Sequence, residues 1–213
     1  MQKLALVFCL MFFAAQFDFA QPVSVGALGG VPLVEQTNSF EHDESRPYVI
    51  GPSVEVRLPA GFALEADALY QRVGGTFSFR LLTSNPEPVG PGTLASSNRL
   101  RANLWEFPLL GKYYFRRRSS GWQPFLGTGW ALRFAEIHQA GSETSVDAQG
   151  ALNTFSFNGS FRSDLEIGAN FAAGVRFRVG HFALSPQVRC TRWGGQNNIL
   201  RKNEAAAILG ISF

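Results

Sequence analysis

Apolar and polar residues alternate at period two through most of the chain after residue 22. Eight stretches carry the pattern: 22–33, 48–58, 61–72, 100–115, 122–135, 165–179, 181–192 and 204–213. Strict alternation places one apolar and one polar face on an extended strand. Trp105, Phe107, Leu109, Gly111, Tyr113 and Phe115 share one face of the fourth stretch, and Glu106, Leu110 and Lys112 share the other. In the sixth, Ile167, Ala169, Phe171, Ala173, Val175 and Phe177 oppose Glu166, Asn170, Arg176 and Arg178. The connections alternate in length. Residues 58–61, 116–121 and 179–181 are short turns, whereas 34–47, 73–99, 136–164 and 193–203 are long. Long loops on one side and tight turns on the other, with an even strand count, predict an all-β fold. The expectation is an eight-stranded antiparallel up-and-down transmembrane β-barrel.

The polar faces carry charge of both signs in equal number. The acids are Glu55, Glu65, Asp67, Glu106, Glu166 and Glu204, and the bases are Arg57, Lys112, Arg133, Arg176, Arg178 and Arg189. Hydrocarbon penalises a midplane Arg or Lys by about 2–4 kcal/mol, so a barrel must turn these residues inward. Eight strands enclose a space that side chains fill. Unpaired charges there are costly, so the expectation is a neutral network of ion pairs plugging the interior. A selective pore would more often show an excess of one sign.

The apolar faces are nearly free of charge over a depth of about ten residues, enough to cross the hydrocarbon layer. Aromatic residues gather near strand ends, where interfacial girdles form. Tyr48, Tyr70, Trp105 and Trp130 are assigned to the outer girdle. Phe62, Tyr113, Phe115, Trp122, Phe177, Phe182 and Phe213 are assigned to the inner one. Val175→Arg is therefore expected to disrupt the protein far more than Gly174→Ser. Pro52, Pro108 and Pro186 fall within strands of a sheet that has no free edge, so each is expected at a bulge or near a rim.

The first residues read differently. Lys3 precedes an apolar run, Leu4 to Ala15, too short to span a bilayer, and Ala20 is followed by Gln21-Pro22. This pattern predicts a signal peptide over 1–20, with the barrel domain over 21–213. The last residues, Glu204 to Phe213, place Leu209, Ile211 and Phe213 on the lipid face, and this amphipathic strand closing on an aromatic is read as an assembly signal. Charged residues make up 16% of the chain, sparse for a soluble domain. The two cysteines are Cys9, within the predicted signal, and Cys190, so no disulfide is expected in the mature chain. The basic residues are dispersed, with one run at Arg116-Arg117-Arg118, and no nucleic-acid partner is expected.

Four segments bring a resemblance. Trp105-Glu106-Phe107-Pro108-Leu109-Leu110-Gly111-Lys112-Tyr113-Tyr114-Phe115 resembles the Pro-containing central strand of the bacterial outer membrane protein beta-barrel domain family. Gln123-Pro124-Phe125-Leu126-Gly127-Thr128-Gly129 resembles the strand that follows it. Leu184-Ser185-Pro186-Gln187-Val188-Arg189 and Leu209 to Phe213 fit the last hairpin. The resemblance implies a small OmpA/OmpX-type barrel in the outer membrane, and it brings no catalytic residues. The barrel assembly machinery would then be a partner, with a terminal Phe as its recognition signal.

Candidate chemistry is thin. A rim triad of His138 with a loop Ser and Glu143 would suit a lipid-modifying enzyme. The stretch Glu41-His42-Asp43-Glu44 has metal-ligand residue types, but adjacent positions on an extended segment do not converge on one ion. No zinc spacing, phosphate loop or dinucleotide fingerprint is present. The expectation is a monomeric protein in contact with outer-membrane lipid, without catalysis or cofactor, in a structural or surface-interaction role. A narrow small-solute channel is the alternative, and a rim enzyme comes after it. Extracellular ligands are expected at 73–99 and 136–164. Within these, Asn85 to Gly92 is expected to be a mobile tip, and Thr76–Leu82 and Asn153–Phe161 still alternate, as strands continuing above the membrane would.

Overall fold

Alternating sequence becomes alternating exposure along every strand that crosses the membrane. The structure, a computed structural model, describes residues 23–34, 42–80, 92–116, 121–195 and 200–213. The predicted signal peptide lies outside them, as does the 85–92 tip except for Gly92, the first residue of β6. The strands are β1 (Val23–Pro32), β2 (His42–Asp43), β3 (Val49–Arg57), β4 (Phe62–Asp67) and β5 (Leu69–Arg80). They continue with β6 (Gly92–Tyr114), β7 (Trp122–Val146), β8 (Leu152–Arg162), β9 (Glu166–Val179), β10 (Phe182–Trp193) and β11 (Asn203–Ser212).

All pairings are antiparallel, and they close a ring. β1 pairs with β3 on one side and with β11 on the other, Gly26 facing both Ser53 and Ser212. β4 and β5 form one interrupted stave against β6, and β9 with β8 forms another against β7. β2 adds a short extension beside β5, above β3. The ring has eight staves, as the alternation predicts.

The prolines act differently from expectation. Pro52, Pro108 and Pro186 sit neither at bulges nor at rims. The ladder skips from Ala66↔Leu109 to Leu69↔Glu106 across Pro108, and from Leu184↔Phe177 to Gln187↔Gly174 across Pro186, with register unchanged. Pro52 lies opposite the same interruption, where Ala68 separates β4 from β5. Each proline removes one N–H without adding a residue, so the ladder loses a bond but not its register. The register shift in the β6–β7 ladder lies higher, between Thr93 and Ala95. Around this interruption the backbones approach closely. A Cβ at Gly51 or Gly129 would stand 1.9 Å from the carbonyl oxygen of Ala68 or Leu109.

β6 and β7 run for 23 and 25 residues, more than twice what a membrane-crossing strand needs. Their excess, with the upper part of β5 and with β8, forms a projecting sheet on one side of the barrel. Much of the predicted 136–164 loop is therefore a hairpin, turning at 147–151. At its tip the Asp147 carboxylate accepts the N–H groups of Gln149 (2.9 Å) and Ala151 (2.8 Å).

Candidate functional site: a plugged lumen and a lipid-facing wall

Inward positions hold the polar residues, and they meet because strand register brings them to the same height. Glu65, Asp67, Lys112 and Arg189 come from three different staves. Lys112 pairs with Glu65 and reaches Glu55 at 3.4 Å. The Arg189 guanidinium donates to Glu65 (2.7 Å) and Asp67 (2.6 Å). Glu55 also accepts from the Tyr114 hydroxyl (2.7 Å) and from Arg176 (2.9 Å), and it pairs with Arg57. The Arg57 guanidinium lies 3.5 Å from the centre of the Tyr114 ring.

A second knot stands nearer the long-loop side. Arg133 donates to Glu166 (2.6 Å) and to Glu204, and stacks over Trp193 at 4.3 Å. Lys112 and Arg133 are each only 1% exposed. Such burial of a cation is tolerable only with paired carboxylates and hydrogen bonds around it. Glu106 joins Glu204, Arg189, Gln71, Asn170 and Thr191 around a small cavity of about 30 Å³. That is room for about one or two waters, not a continuous water path. Above it Val73, Leu100, Ala102, Leu104, Ala135 and Ile137 pack an apolar layer with Leu200, which enters from the connection between β10 and β11.

Of the sequence-predicted network, Glu55, Glu65, Asp67, Lys112, Arg133, Glu166, Arg189 and Glu204 are buried, and Arg57, Glu106 and Arg176 are half-buried. Arg178 is the departure. It has the inward parity but stands exposed beside the Gly180 turn, at the rim, where the lumen meets water. Sequence reasoning missed Leu200, and it placed Tyr114 on the inward face without counting it in the network. Tyr114 carried a signal, since it shares the face of Lys112 and Glu106. Leu200 carried none, because it lies in a loop.

The outer surface is the reverse of a soluble protein's. Trp130 (63% exposed), Phe171 (55%) and Leu126 (54%) stand with Ile50, Val54, Leu64, Val188, Leu209 and Ile211 on a continuous apolar belt. An exposed apolar surface this large marks contact with membrane. Phe62 packs on Tyr113 at 5.1 Å and Tyr113 on Phe115 at 5.2 Å near the short turns. Tyr70 packs on Trp105 at 5.1 Å toward the other end. The Phe213 ring is exposed, and its N–H donates to the Val25 carbonyl at 3.0 Å. The facing of β9 agrees with its sequence, but Gly174 has no spare room. A Cβ there would lie 2.6 Å from the Pro186 carbonyl oxygen and 2.7 Å from the Gln187 Cβ. Gly174→Ser is therefore no tolerant control for Val175→Arg.

The enzyme candidates are not assembled. His138 faces outward on β7, beside Arg101 and Ser160, while Glu143, five residues on, belongs to the opposite face. In the Glu41 to Glu44 stretch, Glu44 is held by Arg99, and Glu41 lies outside the described residues. Among the described residues no group of three or more His, Cys, Asp or Glu is placed to hold a metal. No helix among them is long and apolar enough to cross a membrane.

A closed antiparallel ring with an apolar belt, aromatic ends and a polar lumen defines an integral outer-membrane β-barrel. The chain belongs to the outer membrane protein beta-barrel domain family, whose model matches residues 15–191. Its lipid contact and its location in the outer membrane follow. No curated protein matches it. Among solved structures it is similar to the N-terminal β-barrel domain of OprF from Pseudomonas aeruginosa, at 16% identity and a TM-score of 0.46, covering 90% of this chain and 95% of that one. Neisserial surface protein A is similar at 16% identity and a TM-score of 0.44, covering 89% and 95%. The attachment invasion locus protein Ail of Yersinia pestis, solved with the heparin analogue sucrose octasulfate, is similar at 10% identity and a TM-score of 0.34, covering 90% and 96%.

Proposed function

We propose that this protein is a non-catalytic, non-conducting outer-membrane barrel, a structural and surface-interaction scaffold whose recognition resides in its long hairpins. The observation that carries this reading is the filled lumen, with its cross-barrel ion pairs, its cavity of about 30 Å³ and the apolar layer above it. A channel of the kind the alternative requires needs a continuous water path, and charges locked in pairs do not supply one. Steady conductance is measured in planar bilayers with refolded protein whose gel mobility is heat-modifiable. The reading expects none, and a constant unit conductance would overturn it in favour of the channel. Catalysis is placed last because His138 and Glu143 stand on opposite faces.

The surface role is favoured by β8. Its outer edge has no strand partner among the described residues, and Phe155 and Phe161 are about half exposed. Free edges and exposed aromatics invite another chain or ligand. The reading includes a monomer, a signal peptide over 1–20 removed at export, and the 73–99 and 136–164 hairpins on the cell exterior. It also includes delivery by the barrel assembly machinery through the Leu209, Ile211 and Phe213 face. Protease added to intact cells is expected to cut within 85–92 and to spare the barrel. Cleavage at 116–121 instead would invert the topology.

A further inference from the structure

The outward face of the projecting sheet continues the lipid wall upward, and there its chemistry changes. On β6 the outward residues run Phe107, Trp105, Asn103, Arg101, Arg99, and on β5 they run Tyr70, Arg72, Gly74, Thr76. Register places Arg72 opposite Asn103, Gly74 opposite Arg101 and Thr76 opposite Arg99. Arg46 joins from the segment after β2, its N–H donating to the Arg72 carbonyl at 2.8 Å. Arg46, Arg72, Arg99 and Arg101, with Glu44 and Ser45, line a pocket of about 550 Å³. Arg99 and Arg101 also border a neighbouring pocket of about 480 Å³ with His138, Asn158 and Ser160.

Charge does not cancel in this pocket. Glu44 receives Arg99 (2.6 Å and 2.9 Å), Arg101 (3.5 Å) and the Thr76 hydroxyl (3.2 Å). The Arg99 hydrogen bond holds the Glu44 carboxyl below its usual range, so it stays ionised and fixes the two guanidiniums. Arg46 and Arg72 are exposed, and among the described residues neither has a carboxylate at ion-pair distance. Among the described residues the cluster thus holds four cations against one anion, with Arg72, Arg99 and Arg101 on strands and Arg46 on the segment after β2.

Height decides what they meet. Arg72 stands two residues above Tyr70, and Arg101 four above Trp105. At ~3.3 Å per residue this is ~7 and ~13 Å along the strand, or ~5 and ~10 Å along the membrane normal for strands tilted ~40°. The aromatic pair marks the interface, and the headgroup layer extends ~5–7 Å beyond the hydrocarbon. Arg72 therefore stands at headgroup depth and Arg101 just above that layer, within reach of it by the length of its side chain, and both face outward, not into the barrel mouth.

We propose that Arg46, Arg72, Arg99 and Arg101 form a binding site for the phosphate groups of outer-leaflet glycolipid. Guanidiniums suit this role because their paired donors match phosphate oxygens. The inference rests on the proposed orientation, with the long hairpins outside.

The test uses the full mature chain refolded in detergent and measures binding of diphosphoryl lipid A and of its dephosphorylated form by native mass spectrometry. The wild type is expected to prefer the phosphorylated lipid at least tenfold. R72Q/R101Q is expected to weaken that binding about 30-fold, the effect of removing two cations near an anionic surface, and R72K/R101K to retain most of it. R178Q, which removes an exposed arginine at the opposite rim, is expected to bind as wild type. Heat-modifiable mobility confirms that each variant is folded. Equal binding of the two lipids by wild type, or unchanged binding by R72Q/R101Q, would overturn the proposal. So would a soluble sulfated polysaccharide that binds with the same arginine dependence while lipid A shows none. Protease cleavage of intact cells at 116–121 would sink the orientation. Correct orientation without lipid discrimination would sink the lipid site alone.

Discussion

At the scale of single residues, the cations sort by what surrounds them. Arg133 is enclosed by Glu166, Glu204 and Trp193, and removing it leaves two carboxylates buried without their counterion. Arg133→Ala is expected to cost about 3–5 kcal/mol, read as a lower urea midpoint for the barrel in lipid vesicles. Arg178→Ala, at an exposed rim position, is expected to stay within about 0.5 kcal/mol. Equal effects would mean that the lumen pairs carry no weight. Outward positions obey the opposite rule. Phe171→Arg, which puts a cation on the apolar belt, is expected to cost about 2–4 kcal/mol in the same titration. Indifference to this change would place β9 in the wrong facing.

At the scale of elements, the β7–β8 hairpin depends on its tip. Asp147 is half-buried, and the Ala151 N–H, with those of Gln149 and Gly150 and the Asn153 amide, holds its carboxyl below the usual 3.8. A depressed folded value means that the carboxylate's contribution is complete well above 3.8 and is lost as pH falls through the lower, folded value. Amide chemical shifts of Gln149 and Ala151, followed by NMR in micelles, are expected to hold steady in neutral solution and to move only below 3.8. Asp147→Asn should abolish that acid transition. A midpoint above 3.8 would show that the tip does not bind its carboxylate in this way.

At the scale of the whole molecule, closure is the property that matters. The ring closes where β1 meets β11, and Phe213 adds one more bond to that seam through Val25. Phe213→Lys is expected to lower outer-membrane levels and leave periplasmic aggregate, measured by membrane fractionation and heat-modifiable mobility. Normal membrane levels of the variant would count against the assembly role of this face.

How much of this was legible beforehand follows from what period-two alternation encodes. It records which side of a strand each residue takes, so the belt, the strand count and the inward set that includes Glu55, Lys112, Arg133 and Arg189 could be read from the chain. It does not record height, because height depends on tilt and register across neighbouring strands. Arg178 thus shares parity with Arg176 but ends exposed at the rim. For the same reason Arg72 and Arg101 read only as residues at the ends of strands, although their spacing from Tyr70 and Trp105 was visible. The prolines were visible too, but only paired backbones show that a missing N–H leaves the register intact.

The sequence by itself determined that this chain forms a barrel, because hydrocarbon outside and paired charge inside admit one solution for its alternating faces. The tertiary structure alone decided that the lumen is filled among the described residues. That outcome depends on Lys112, Glu65 and Arg189, residues distant in the chain, arriving at one height from three staves, and on Leu200 entering from a loop. Contacts of that kind are set by register and closure, which no local pattern carries.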